Sequence, residues 1–243
     1  MAGRGARFQT ARHKAPKPFI QVFPNKRMVE VALSYLTPKE PHHFIFVCRK
    51  QHVKTYHLKQ LFLANTKSSA IVTTDRVTEG PACSVLLANK WINTKNELLI
   101  AYCDDYLDIK LDRFLNLCRK QNADGALMLY RSRNPKNSFA IIDRYGKVLK
   151  TAEKKVISRY ATAGLYYFKE GREFVRSARR MIWRNRRSKG EFFVCPVYNE
   201  MIEDGKKVLG YKFPSKANLE MGDPKSLKAF KRNARLQTGF LAV

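Results

Sequence analysis

The run Leu98-Leu99-Ile100-Ala101-Tyr102-Cys103 is apolar and leads directly into Asp104-Asp105. A short apolar run of this length is typical of a strand that is buried on both faces. In an open α/β sheet, ligands bind beyond the carboxyl ends of such strands. Carboxylates placed there are natural ligands for Mg²⁺, which takes a few hard oxygens together with substrate phosphates. The alternative reading of the two aspartates is a charged turn that follows a strand.

Similar apolar runs alternate with helix-like segments along the chain. This alternation indicates an α/β fold with a mostly parallel sheet. We predict strands at 43–48, 69–74, 98–103, 125–131, 138–143 and 163–168. We predict helices at 28–36, 54–63, 81–91, 111–121 and 171–185, and a last helix that Asp223 caps and Pro224 opens. Because no repeat or low-complexity linker interrupts the pattern, we expect residues 1–243 to form a single domain.

The N-terminal residues are suited to binding phosphate. Gly3-Arg4-Gly5-Ala6-Arg7-Phe8 is followed by Pro16-Lys17-Pro18. Glycines let the backbone approach an anion closely, and the backbone N–H groups can form a cradle for it. Arg7 and Lys17 would add fixed positive charge. Taken alone, the G-x-G pattern is also what a flexible basic N-terminus would show.

Two short segments that each begin with a glutamate stand at positions suited to a ligand. Glu79 and Gly80 precede an apolar helix, so they combine a tight glycine turn with a helix N-terminus, which suits a base edge or a phosphate. Glu153 and Lys154 place an acid beside a base, and such a pair can hold a sugar hydroxyl and its phosphate. The alternatives are a simple helix start and a solvent-exposed charged segment.

Two glycine segments near the C-terminus complete the set of candidates. Gly164 begins an apolar run, where a glycine permits a ligand to lie against the backbone. Glu220 and Asp223 surround a glycine just before the last helix, and one of them could complete a metal site begun by Asp104. The alternative for this last segment is an ordinary capped helix entry.

The order of these segments resembles that of the sugar-1-phosphate nucleotidylyltransferase family over roughly residues 1 to 230. The succession is G-x-G-x-R-F, P-K-P, E-G-x-A, a strand followed by Asp, E-K, G-L-Y-Y-F and an acidic glycine turn before a final helix. The resemblance implies a GT-A-like, Rossmann-related fold with a mixed, mostly parallel sheet in a three-layer α/β/α arrangement. It also implies a Mg²⁺-dependent enzyme that joins a nucleoside triphosphate to a sugar 1-phosphate, or to a similar phosphorylated small molecule, and releases pyrophosphate.

The resemblance assigns the triphosphate to the N-terminal segment. Gly3 and Gly5 would bind the nucleotide, and Arg7 and Lys17 would stabilise the phosphates during transfer. Asp104 matches the metal-binding aspartate of the family.

The remaining assignments concern the base and the sugar. Glu79 and Gly80 match the segment that contacts the nucleotide base. Glu153 and Lys154 match the pair that holds the sugar and its phosphate, and Gly164 lies in the sugar-side strand.

The sequence departs from the family pattern in three places. Glu220 stands where the family usually has a second metal-binding Asp, and Asp223 is its rival for that role. Lys155 replaces the proline that usually follows the E-K pair. Family members place an apolar strand directly before the glycine segment, whereas Met1 precedes it here. The two interpretations are a missing first strand, which we favour and with which impaired activity is compatible, and a fold that manages without that strand.

The net charge is +27, from 47 Lys and Arg against 20 Asp and Glu. The basic residues are spread along the chain, and the densest run, 176–189, is interpreted as a helix with a solvated basic face. A positive field attracts phosphorylated substrates. Contact with nucleic acid is a second interpretation of the charge, which we do not favour.

No apolar run approaches the ~20 residues that a membrane span requires, and no secretory leader is evident. The five cysteines are odd in number and scattered, without C-x-x-C spacing. This pattern indicates neither a disulfide framework nor a zinc site, and we expect a reduced, cytoplasmic protein. The sequence is compatible with a homo-oligomer as well as with a monomer.

Three other functions compete with nucleotidyl transfer. A GT-A-type glycosyltransferase would use a preformed sugar nucleotide and a D-x-D-like metal motif, which Asp104, Asp105 and Asp108 match imperfectly. A non-catalytic nucleic-acid-binding protein would explain the charge. A degenerate relative would keep the fold without the chemistry.

Overall fold

The computed structural model of the chain describes Met1, Phe8 and residues 15–236, and of 234–236 the backbone alone. Its strands are β1 (Gln21–Phe23), β2 (Lys26–Arg27), β3 (Phe44–Arg49), β4 (Ser69–Thr74), β5 (Leu98–Ala101), β6 (Asp105–Leu107), β7 (Gly125–Arg131), β8 (Ser138–Ile142), β9 (Val148–Glu153), β10 (Tyr160–Phe168), β11 (Val208–Lys212) and β12 (Asn218–Glu220). Its helices are α1 (Met28–Leu36), α2 (Lys50–Thr55), α3 (Leu58–Asn65), α4 (Pro81–Leu86), α5 (Asn89–Ile92), α6 (Leu111–Lys120), α7 (Gly171–Trp183), α8 (Val197–Glu203) and α9 (Pro224–Leu236).

The central sheet has six strands, with the path β11-β7-β10-β8-β9 and with β5 also paired to β10. The nine-residue strand β10 pairs with β7 along one edge. On its other edge, Ala161 pairs with Phe139 of β8, and Leu165 to Phe168 pair with β5. The long strand β10 therefore joins two parts of the sheet.

The fold is α/β with a mixed central sheet flanked by helices, as predicted, but most of the strand pairs in that sheet are antiparallel rather than parallel. Within the described residues, β11 and β7 are parallel, whereas β10 runs antiparallel to β5, β7 and β8, and β8 antiparallel to β9. One physical reason is the short connection 143–147, which returns the chain from β8 into its antiparallel neighbour β9. A parallel pair needs a crossover of a dozen or more residues, whereas a short loop returns the chain antiparallel.

Three smaller sheets complete the strand pairing. Strands β3 and β4 are parallel and in register from Phe44 opposite Ser69 to Arg49 opposite Thr74. Strand β12 pairs antiparallel with β6, which sets Glu220 opposite Asp105. Strands β1 and β2 form a small hairpin.

The predicted helices at 28–36, 111–121 and 171–185 are confirmed to within two residues, but two others are each divided. The helix predicted at 54–63 breaks at His57, whose φ of +50° is left-handed, so that α2 ends and α3 begins there. The helix predicted at 81–91 is α4 followed by α5. The last helix begins at Pro224, and the Ser226 N–H donates to Asp223 Oδ1 at 2.9 Å, as expected of a capping aspartate.

Helices cover the sheet on both sides. Along β7, Leu127 and Leu129 face a core cluster that contains Phe174 of α7, whereas Met128 faces a second cluster that contains Phe114 of α6. This alternation is the period of two expected of a strand buried on both faces. The sheet therefore forms the middle of three layers. Within the described residues, no helix is long and apolar enough to cross a membrane.

The basic run at 176–189 does not form a simple solvated face. Arg180, Arg184 and Arg186 all contact Glu200 of α8, at 2.8, 2.9 and 2.9 Å, and the Glu200 side chain is fully buried. These arginines therefore neutralise a buried carboxylate and hold α7 against α8.

Candidate active site

One cavity of about 2300 Å³ lies at the edge of the sheet, where β5, the β7–β8 connection, the end of β9 and β12 contribute to its lining. Its lining includes the predicted site residues that the structure describes: Lys17, Glu79, Gly80, Asp104, Glu153, Lys154, Gly164 and Glu220. The predicted residues Gly3, Gly5 and Arg7 lie outside the described residues. Residues as far apart in sequence as Lys17 and Glu220 thus share one cavity.

Asp104 lies just beyond β5 and forms an ion pair with Lys17. The Met221 N–H donates to the Asp104 backbone oxygen at 2.8 Å, which ties the segment after β12 to the end of β5. A Cβ on Gly222 would lie 3.0 Å from Asp104 Oδ2 and 3.6 Å from Lys17 Nζ. The glycine therefore leaves space beside the ion pair into which a ligand oxygen could fit.

Asp105, which the sequence analysis considered beside Asp104 without assigning it to the site, also lines the cavity. Burial raises the pKa of Asp105 well above its usual value, and the nearby carboxylates Asp104 and Glu220 raise it further. A Cβ on Gly164 would collide with the Asp105 carboxylate and would lie 2.9 Å from Tyr102 Cδ2. Gly164 thus makes room for Asp105 in the structure.

Glu220 belongs to a hydrogen-bonded group at the same end of the cavity. Tyr130 Oη donates to Glu220 Oε1 at 3.0 Å, and Asn137 Nδ2 donates to Tyr130 Oη at 2.8 Å. Burial and the Glu220 charge raise the pKa of Tyr130, so it remains a donor at neutral pH. Asp223 also lines the cavity, and its carboxylate caps α9.

Glu153 and Lys154 lie at the β8–β9 side of the cavity. Ser138 Oγ donates to Glu153 Oε2, and β8 and β9 pair these two residues directly. Burial raises the pKa of Glu153, although the Ser138 hydrogen bond and the Lys154 charge oppose this rise. The structure therefore holds this carboxylate in place before any ligand binds.

Lys154 adopts an uncommon backbone conformation, with φ of +52°. Its N–H donates to the Asn137 backbone oxygen at 3.0 Å, and its Nζ lies 4.2 Å from the centre of the Phe193 ring and 3.9 Å from Glu191 Oε2. A left-handed non-glycine residue is strained, by about 1–3 kcal/mol, and such residues cluster at functional sites. Phe193 and Glu191 therefore hold the Lys154 ammonium group at the cavity, although Lys155 stands in place of the proline that usually follows.

The Glu79–Gly80 turn is shaped by the segment 190–193. Phe192 N–H donates to the Glu79 backbone oxygen at 2.8 Å, and Ala82 N–H donates to the Phe192 oxygen at 2.9 Å. The φ of Gly80 is +136°, and a Cβ there would lie 2.6 Å from Phe192 N. The Glu79 side chain is 66% exposed and pairs with Arg187. The turn is therefore held by backbone contacts rather than by the Glu79 carboxylate.

We expect Gly80→Ala to lower the free energy of unfolding by about 2 kcal/mol or more, because it adds a backbone collision to a φ that only glycine adopts readily. In a chain of this size that loss corresponds to a fall in Tm of roughly 4–8 °C, measurable by thermal melting. Gly205→Ala is the matched control, since Gly205 also has a positive φ, +71°, but has no atom within 4 Å of its added Cβ. Equal losses in the two variants would contradict this explanation.

Within the described ranges, no three His, Cys, Asp or Glu side chains form a ready-made metal site. The cavity instead brings together the carboxylates of Asp104 and Glu220. Asp105, which follows Asp104, pairs with Glu220 between β6 and β12. Two carboxylates are the donor set expected where Mg²⁺ completes its coordination with water and substrate phosphates. The donor set therefore fits Mg²⁺ bound together with a phosphorylated substrate.

Residues 1–235 match the nucleotidyl transferase family, and the chain belongs to this family. No curated protein gives a significant match to the sequence.

Solved structures share the fold at low sequence identity. The nucleoside-diphosphate-sugar pyrophosphorylase from Vibrio cholerae RC9 is 20% identical, with a TM-score of 0.79 over 96% of this chain and 98% of that chain. The inositol-1-phosphate CTP transferase from T. maritima is 16% identical, with a TM-score of 0.75 over 98% and 94%. A UDP-glucose pyrophosphorylase complexed with UDP-glucose is 13% identical, with a TM-score of 0.75 over 97% and 96%. At these identities the likeness establishes the fold.

Proposed function

We propose that the protein joins a nucleoside triphosphate to a sugar 1-phosphate, or to a similar phosphorylated small molecule, and releases pyrophosphate. The observation that carries this proposal is the single cavity that holds Lys17, Asp104 and Glu220 together with Glu153 and Lys154. A cation beside two carboxylates suits a polyphosphate and its metal ion, and an acid–base pair suits a sugar and its phosphate. The family membership supports the same class of reaction.

In the proposed reaction, an oxygen of the sugar 1-phosphate attacks the α-phosphorus of the triphosphate. The new P–O bond forms as the bond from the α-phosphorus to the bridging oxygen of the β-phosphate breaks, and pyrophosphate leaves with the electron pair. The attacking phosphate is already ionised at neutral pH, so the protein need not supply a general base. Its residues act by positioning the two substrates and by neutralising charge.

Lys17 is the residue to which we assign the neutralisation of charge on the leaving pyrophosphate. Its ammonium group has three donors, so it can keep its contact with Asp104 while it donates to a phosphate oxygen. The N-terminal residues Gly3, Gly5 and Arg7 are proposed to bind the same triphosphate, on the strength of the family resemblance.

Asp104 and Glu220 are the residues that would hold Mg²⁺. When bound, the ion would supply positive charge and a template for the phosphate oxygens. Tyr130 holds Glu220 by its hydrogen bond, and the Met221 N–H holds the Asp104 backbone. These contacts orient the two carboxylates in advance of the ion.

Glu153 and Lys154 are proposed to hold the phosphorylated acceptor, and the Glu79–Gly80 turn to face the nucleotide base. The solved neighbours are a nucleoside-diphosphate-sugar pyrophosphorylase, an inositol-1-phosphate CTP transferase and a UDP-glucose pyrophosphorylase. Acceptors with a ring hydroxyl next to a phosphate are therefore the first to examine, inositol phosphate among them.

The test is a panel assay with Mg²⁺ in which each nucleoside triphosphate is combined with each of several sugar 1-phosphates and inositol 1-phosphate, and pyrophosphate is measured. We expect pyrophosphate to appear only when both a matching triphosphate and a matching acceptor are present. Glycosyl transfer from a preformed sugar nucleotide, without pyrophosphate, would contradict the proposal and favour a glycosyltransferase.

We expect Glu153→Gln to raise the KM for the acceptor about tenfold or more, because it removes a charged hydrogen-bond acceptor from the sugar side of the cavity. The KM for the triphosphate should change little. Glu191→Gln is the matched control, since Glu191 lies on the same side, 3.9 Å from Lys154, but is half exposed. A similar rise in both variants, or a rise in the KM for the triphosphate instead, would argue against the assignment of Glu153.

We further propose that residues 1–243 act as one nucleotidylyltransferase-like domain and that the protein works in the cytoplasm. The thiols of Cys48, Cys83, Cys103, Cys118 and Cys195 are all unpaired, which a reducing compartment would preserve.

A further inference from the structure

A group of polar side chains at the carboxyl end of β3 lines the cavity and has no role in the site described so far. Arg49 is the last residue of β3, and Gln51 and His52 follow it in α2. All three line the cavity, as Lys17 does. Because ligands of open α/β sheets bind beyond the carboxyl ends of the strands, residues 49–52 are placed to contact a ligand.

Arg49 carries a positive charge that no carboxylate of the described residues pairs with. Its Nε atom is buried and has no hydrogen-bond partner. Arg119, which also lines the cavity, instead contacts Glu40 and Glu97, each at 2.6 Å. Since an unpaired buried donor costs free energy, such groups in native proteins are usually satisfied by a partner. An anionic ligand in the cavity would be such a partner for Arg49.

His52 presents a second unpartnered nitrogen. Its Nδ1 atom is buried without a hydrogen-bond partner, whereas its Nε2 atom lies 3.5 Å from Gln51 Nε2. The amide nitrogen of Gln51 can only donate, so the contact places the ring hydrogen of His52 on Nδ1. Burial lowers the pKa of His52, and the Arg49 charge lowers it further, so the ring is neutral at pH 7. His52 therefore offers an uncharged N–H donor beside the Arg49 charge.

Aromatic packing places His52 close to the turn that contains Lys17. This short turn spans Lys17–Phe19. The Phe19 ring meets the His52 ring edge to face, with centroids 5.8 Å apart, and stacks on Tyr56 at 4.6 Å. Phe19 is buried, so the contact fixes α2 against the turn. The unpartnered donors of Arg49 and His52 therefore lie on the Lys17 side of the cavity.

We propose that Arg49 and His52 bind the β- and γ-phosphates of the nucleoside triphosphate and the pyrophosphate that is released from them. The assignment rests on the proposed nucleotidyl transfer, in which Lys17 neutralises charge on the same leaving group. A guanidinium group suits phosphate because its planar set of donors can contact two oxygens at once. The neutral imidazole adds a directed donor. The two residues thereby favour a triphosphate over a nucleoside monophosphate.

The test is calorimetric titration of the protein with inorganic pyrophosphate and Mg²⁺, which needs no turnover. We expect Arg49→Met to weaken pyrophosphate binding by about tenfold or more, because it removes a charged hydrogen-bond donor. The Tm of this variant should be unchanged or higher, since the substitution removes a charge that is unpaired in the free protein. Arg76→Met is the matched control, because Arg76 is exposed and outside the cavity lining, and it should bind pyrophosphate normally.

His52 is tested by a pair of substitutions. His52→Leu removes the Nδ1 donor and should also weaken pyrophosphate binding, whereas His52→Asn keeps an N–H group near that position and should restore part of the affinity. In steady-state assays, the KM for the triphosphate should rise in Arg49→Met and His52→Leu while the KM for the acceptor changes little.

Three results would overturn the proposal. The first is an unaltered protein that does not bind pyrophosphate. The second is an Arg49→Met variant with normal pyrophosphate affinity, and the third is a loss of affinity as large in Arg76→Met. Failure of the proposed reaction is a separate result. Absence of nucleotidyl transfer in the panel assay, with pyrophosphate binding that still depends on Arg49, would refute the reaction and leave the phosphate site standing.

Discussion

Replacing Asp104 by asparagine should lower turnover by a hundredfold or more. Asp104 lies beside Lys17 and is proposed to hold Mg²⁺ with Glu220, so the change weakens charge neutralisation at the reacting phosphates. Loss of one preorganised electrostatic contact typically costs about 2.7–4 kcal/mol in transition-state stabilisation. Lys17→Ala should lose a similar amount, because it removes the positive charge assigned to the leaving pyrophosphate. The measurement is the initial rate of pyrophosphate release at saturating substrates.

The fold should survive both changes. The Asp104 and Lys17 side chains are each about one-fifth exposed, at 22% and 20%. An ion pair that water can reach contributes about 1 kcal/mol or less, against 5–15 kcal/mol for the stability of a domain. Asp108→Asn is the matched control, since Asp108 is exposed and close in sequence but outside the cavity lining. Turnover near that of the unaltered protein in either Asp104→Asn or Lys17→Ala would refute the assignment of that residue.

Replacing Glu200 by alanine should lower the free energy of unfolding by about 3–5 kcal/mol. The Glu200 side chain is fully buried and is contacted by Arg180, Arg184 and Arg186. Its loss removes the buried carboxylate that the three guanidinium groups share and leaves them only the more exposed Glu203 and Asp204. For a chain of this length the loss corresponds to a fall in Tm of roughly 6–20 °C. Denaturant unfolding, with the slope compared between variants, measures the change directly.

Glu203 provides the control for Glu200. It contacts two of the same arginines, Arg184 and Arg186, but its side chain is 45% exposed. Glu203→Ala should therefore cost about 1 kcal/mol or less. Comparable losses in the two variants would show that burial of Glu200 is not the source of the stability.

Local sequence patterns predicted most of the helices and strands, but not how the strands pair or where every helix breaks. The apolar runs at 125–131 and 69–74 became β7 and β4, because a strand buried on both faces needs apolar residues throughout. The direction of pairing was mispredicted, since it depends on how the loops return the chain rather than on the strand residues. The break at His57 was also missed, because a single left-handed residue leaves the helical pattern of its neighbours intact.

The candidate site was predicted in part. Asp104 was proposed from its place after a strand, and Lys17 from its place between two prolines and from the family resemblance. The structure pairs the two side chains although they are 87 positions apart. Tyr130, which orients Glu220, was missed because its role depends on contacts across 90 positions. The Glu200 network escaped notice for the same reason, since a run of arginines does not reveal where its carboxylates lie.

The central claim is that the nucleotidyl group, which contains the α-phosphate, is transferred to the acceptor. The most direct test follows the label from two forms of the matching triphosphate, one labelled at the α-phosphate and one at the γ-phosphate, with Mg²⁺ and the acceptor. We expect the α-label in a sugar nucleotide or its analogue and the γ-label in pyrophosphate, both only when acceptor is present. A γ-label recovered on the acceptor or as inorganic phosphate, with the α-label left in a diphosphate, would contradict nucleotidyl transfer.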